Sequence, residues 1–125
     1  MLTIVLTGNT PLTAAQASTL WTVQANLDPA TAFTVQDTTG AIVAATPTLA
    51  RYAGTVLTHV TMDNTTVDGP TAIALFSIAG RLTSPLAVDT SAGFAAGNAI
   101  ELGDMLNAGA IAVVNINSAL AASVA

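Results

Sequence analysis

HVTMDNTTVDGPTAIALF (residues 59–76) decides how this chain is read. It holds the only histidine, His59, two of the seven acidic side chains, Asp63 and Asp68, and an Asp-Gly-Pro turn. Its first part alternates, with Val60 and Met62 on one side and His59 and Thr61 on the other, the period of a strand. TAIALF opens a second apolar run that continues to Gly80. Between the two lie Asp, Asn and Gly, which turn a chain by accepting local backbone hydrogen bonds or by tolerating φ > 0. The stretch therefore predicts a β-hairpin. Residues 63–69 form its outward loop, and Gly69 supplies a positive φ.

The pattern extends in both directions. TAFTVQD (31–37) alternates, with Phe33 and Val35 on one face and Thr34 and Gln36 on the other. DTTG (37–40) reads as a turn and AIVAAT (41–46) as the returning strand, stopped by Pro47. LTIVLT (2–7) is a first strand, residues 99–102 a short one, and AGAIAVVNIN (108–117) a last one. One helix is predicted over 11–20, with Thr10 as N-cap and Pro11 at its first position. Asp104 reads as the N-cap of a second, in GDMLNAG. No repeat of fixed period is evident. The expected fold class is mainly β: residues 1–125 form a single domain, a small β-sandwich or barrel with one or two short helices.

Composition narrows the function. Of the 125 residues 52 % are hydrophobic, enough for a core, but only 7 % are charged, where soluble chains carry roughly 25 %. There is no lysine; Arg51 and Arg81 face seven acids, for a net charge of -5. Nucleic acid is excluded as a partner, because phosphate binding needs cations, and an anionic membrane surface is excluded for the same reason. The mean hydropathy of +0.67 does not signal a membrane span, since the longest apolar stretch, the tail, is mostly alanine and is interrupted by Asn115, Asn117 and Ser118. MLTIVLTGNT lacks the positive n-region of a signal peptide, so the expectation is a chain kept inside a cell or released by lysis. With no cysteine there is neither a disulfide framework nor thiolate chemistry.

No constellation names a reaction, and no catalytic, cofactor or metal residue is assigned. DNTTVDG lacks the alternating oxygens and closing Glu of a calcium loop, and one histidine in a cysteine-free chain is too few for zinc. His59 has no nucleophile elbow to serve, since LFSIAG and DTSAGF lack the Gly-x-Ser-x-Gly spacing. The glycines of GFAAG (93–97) read as turn or bulge positions. Arg51 and Arg81 are each expected to meet a carboxylate. Glu101 and Asp104, three apart, can share a helix face without forming a sugar-cleaving pair.

Free sheet proteins guard their edges with lysine, other charges or proline. This chain has instead 26 alanines and 20 threonines, small side chains that cost little to order against a neighbour. Permanent interfaces are depleted in charge in the same way. The expectation is a non-enzymatic structural subunit, most simply a phage or virus capsid decoration (cement) protein or a small coat or tail protein. Its partners would be copies of itself and a major capsid or other lattice protein, and its place the virion, assembled in a host cytoplasm. A secreted, extracellular fibre or pilus subunit is the alternative, with residues 2–7 or the tail as a donated strand. A sugar- or ice-binding module with threonine faces is another.

Overall fold

The computed structural model describes residues 3–8 and 10–117. It is a mixed α/β fold in which helix outweighs strand, 45 % to 27 % of the described residues. The elements run α1 (Ala14–Leu20), β1 (Phe33–Asp37), α2 (Thr39–Leu49), β2 (Leu57–Met62), β3 (Thr66–Asp68), α3 (Gly69–Ala74), β4 (Leu86–Ser91), α4 (Ala92–Gly97), α5 (Ala99–Asn107) and β5 (Ile111–Asn117). Tighter 3-10 turns occupy Trp21–Asn26 and Phe76–Arg81. Every strand pairing is parallel, β1 with β2 and β4 with both β3 and β5. A β-sandwich or barrel of hairpins is thereby ruled out. No helix among the described residues is long and apolar enough to cross a membrane.

The fold follows from one local device. A strand ends directly on a residue whose side chain caps the next helix, with no loop between. Thr13, Thr38, Asp68 and Ser91 each hold extended backbone, and each accepts a hydrogen bond from the N–H three residues on: Gln16, Ala41, Thr71 and Phe94. Such a cap satisfies one of the amides that a helix start leaves unpaired. Thr13 and Gln16 complete a reciprocal capping box. A strand that runs straight into a helix can return only by a crossover, and so pairs in parallel.

Several expected strands are therefore helices. AIVAAT belongs to α2, whose N-cap Thr38 lies in the supposed turn DTTG; Pro47 sits within its last turns rather than stopping a strand. TAIALFSIAG forms α3 and the 3-10 turn after it. Residues 59–76 are no hairpin, since β2 pairs with β1 and β3 with β4. Residues 99–102 lie in α5, Asp104 is inside that helix, and the first helix starts at Ala14 rather than 11. Among the described residues of 2–7, only Ile4 makes a ladder contact, with Leu27. Met1, Leu2, Asn9 and the tail from Ser118 onward, part of the expected donor segments, lie outside the described residues.

The chain folds into two compact units. The first comprises residues up to Asp63 with Arg81–Thr83. Here Leu12, Val35, Val60 and Leu82 lie side by side as parallel rungs, each about two dozen residues after the last. A register shift between Phe33 and Thr34, opposite Leu57 and His59, lets Leu57 and Val60 both face inward despite odd spacing. Ile42 and Leu49 of α2 close over them, and all four are 0–1 % exposed. Full burial of such a side chain is worth about 1.5–3 kcal/mol.

The second unit comprises Asn64–Gly80 and the residues from Ser84 onward. Its rungs are Val67, Val88 and Val114. Gly69 is buried without a positive φ. Its requirement is closeness: a Cβ there would stand 2.5 Å from the Phe94 ring and from the Thr90 hydroxyl. Positive φ is found instead at Gly109, 81°, where α5 turns into β5. Gly109 and Ala110 donate back to the Leu106 and Met105 carbonyls, a Schellman close that favours glycine.

Candidate functional site

The acids of residues 59–76 are held by helix starts. In the first unit Asp63 Oδ1 accepts from the Thr39 N–H at 2.9 Å and from the Thr39 hydroxyl at 3.1 Å, at the first turn of α2. Asp37 accepts from the Ala14 and Thr38 amides, which hold its carboxyl below the usual range. In the second unit Asp68 accepts from the Thr71 N–H at 2.9 Å. Hydrogen bonds from the Thr71 side chain, then from its backbone, keep Asp68 low as well. His59 stands exposed on β2, level with Thr34 of β1. Among the described residues no three His, Cys, Asp or Glu gather as a metal site. Of the serines in LFSIAG and DTSAGF, Ser91 caps α4 and Ser77 is exposed in a 3-10 turn.

In parallel sheets the crevice beyond the carboxyl ends of the strands is where ligands gather. In the second unit that crevice is an open groove of about 540 Å³. Asp68, Asp89 and Asn115 stand side by side there in register, and Asn115 Nδ2 donates to Asp89 Oδ1 at 3.0 Å. Gly69, Thr90, Ser91, Ile116 and Asn117 complete the lining. Asp68 is ionised throughout the neutral range and committed to its cap, so it neither stores nor donates a proton there. Within the row, Asn115 and Asp89 are hydrogen-bonded to each other, and Asp68 bonds Thr71 instead.

The arginines differ from expectation. Arg81 meets carbonyls, not a carboxylate: Nη1 donates to Leu49 O at 3.2 Å and Nη2 to Tyr52 O at 2.7 Å. It thus closes the carboxyl end of α2, where a helix favours positive charge. Burial lowers its pKa. Tyr52 donates from its hydroxyl to Ala17 O at 2.7 Å and stacks edge-on against both Trp21 and Phe33; burial pushes the phenol up to about 12. Arg51 is exposed and lines a surface pocket whose rim also includes Trp21 and Asp28. Glu101 and Asp104 both lie on α5. Gly93 and Gly97 lie in α4, where a Cβ in place of either hydrogen would meet nothing within 4 Å, so they mark no close helix approach.

The two end segments that the sequence offered as donor strands, residues 2–7 and the tail, each contribute an edge. Among the described residues β5 has a strand neighbour on one side only. Val113 and Ile116 of β5 are 43 % and 52 % exposed, and Ile100 and Leu106 of the preceding α5 are exposed too. In the first unit Ile4 turns both its N–H and its C=O toward the Leu27 rung, bonding Asn26 O and Asp28 N. Its neighbour Val5 is 59 % exposed. The available signal was the distribution of charge: all nine charged side chains lie between Asp28 and Asp104, leaving both end segments uncharged. Comparisons with protein-family models, with curated proteins and with solved structures find no match to this chain.

Proposed function

We propose that this chain is a non-enzymatic structural module that acts by joining to like modules in a larger assembly. The observation that carries the reading is β5: among the described residues it is a strand with a neighbour on one side only, with exposed Val113 and Ile116 and no charge to repel a neighbour. Stacked repeats that stay monomeric need polar faces on their terminal rungs, and an open apolar strand edge invites pairing. The carboxylates support the same reading, because Asp37, Asp63 and Asp68 are occupied in fastening helix starts. The β-rich pattern that would favour a virion subunit is absent from this mixed α/β fold. Sedimentation velocity over a wide concentration range, with negative-stain microscopy of the same samples, tests it. Species that grow beyond the 12.4 kDa monomer as concentration rises are expected. A monomer throughout would overturn the reading.

A further inference from the structure

We infer that the partner of the open β5 edge is residues 3–7 of a second copy of this chain, entering as a parallel strand so that copies join head to tail. The inference rests on the assembly reading and specifies its interface.

Three observations select this occupant. A parallel ladder has two different edges, and continuing it with helices kept on the same face requires one kind of edge to meet the other. A two-fold pairing of β5 with β5 would either run antiparallel or place the helices on opposite faces. Two segments offer the second kind of edge: β3, the opposite edge of the same sheet, which carries the charged Asp68, and the uncharged residues around Ile4, whose one ladder contact among the described residues is parallel, with the Leu27 rung. The chemistry also matches. β5 carries no charge, residues 1–27 carry none, and each edge presents an exposed branched aliphatic, Val113 and Ile116 on one and Val5 on the other. Strand addition draws affinity from main-chain hydrogen bonds and specificity from such side chains. Because the two surfaces differ, the contact is heterologous and each copy leaves one free edge of each kind for the next.

The test uses two variants of the whole chain. In one, Val113→Lys and Ile116→Lys block the β5 edge; in the other, Thr3→Lys and Val5→Lys block the amino-terminal edge. All four positions are exposed, and circular dichroism confirms that each variant keeps the helix and strand content of the parent. Lysine on an edge strand opposes pairing. Each variant alone is expected to sediment as a monomer. An equimolar mixture should give a species of twice the monomer mass and nothing larger, since only one intact pair of edges remains. Self-association of the amino-terminally blocked variant alone would mean that β5 pairs with β5 or with β3, and either overturns the inference. A parent that assembles while both variants assemble equally well overturns the inference but leaves the assembly reading standing. A parent that stays monomeric overturns both.

Discussion

β4 and β5 are neighbours in one sheet with similar sequences, LAVDTS and IAVVNIN, and they differ in almost every structural respect. β4 lies between two strands and runs into a capped helix; Leu86, Val88 and Thr90 are 0 %, 0 % and 8 % exposed. At the matching positions of β5 Ile111 is buried, Val114 is half-buried, and Ile116 is 52 % exposed. The exposed residue is the more apolar member of the Thr90–Ile116 pair. Burial in this fold is thus conferred by the next rung and its helix, not by the side chain's own hydrophobicity. Among the described residues β5 has no successor rung, and its core-type side chains reach solvent.

The largest effects should separate the two strands. Leu86→Ala is expected to cost about 2–5 kcal/mol, the range for a buried leucine, whereas Ile116→Ala in the dilute monomer should stay within about 0.5 kcal/mol. Urea unfolding measures both, and equal losses would break the comparison. Next comes the packing beside β4. Gly69→Ala must push Phe94 and Thr90 aside and should cost about 1–3 kcal/mol. Gly40→Ala, in a helix with nothing within 4 Å, should cost nothing or stabilise by up to about 1 kcal/mol.

The caps that join strand to helix give smaller effects. Ser91→Ala should cost about 1 kcal/mol, and Ser91→Asp should restore most of it. Asp68 and Asp37 have depressed pKa values, so their stabilisation is present above the ordinary carboxylate pKa and fades as pH falls through the folded values. Asp68→Asn keeps a capping oxygen and should flatten that acid limb, as followed by thermal unfolding between neutral and acidic pH. A separate effect lies at the alkaline end, in the first unit. Tyr52 is raised to about 12, so its contribution is complete below pH 10 and lost as pH climbs toward 12. Tyr52→Phe should remove that slope.

Much of this was legible in the chain. Alternation located β1 and β2, and the AIAVVNIN run located β5, because a half-buried strand imprints its period on the sequence. The helices were hidden by a shared vocabulary: DTTG, VDGP and DTSAG are composed of the same Asp, Thr, Ser and Gly that make turns and that cap helices. What distinguishes them is whether the chain then winds or returns. α2 conceals this further, because small apolar residues surround it and no polar face marks a 3.6 period. Parallel pairing depends on contacts about two dozen residues apart, beyond any local pattern. Arg81 is misread for the same reason, since the carbonyls it serves belong to Leu49 and Tyr52.

The measurement that bears most directly on the open rung is amide hydrogen exchange of β4 and β5, taken first on dilute monomer and then on concentrated protein. In the monomer the amides on the free edge of β5 should exchange far faster than those of β4. In the concentrated sample they should slow to the rate of an internal strand while β4 stays unchanged. Amides of β5 that are as protected as those of β4 in the dilute monomer, or that remain unprotected at high concentration, would contradict the account.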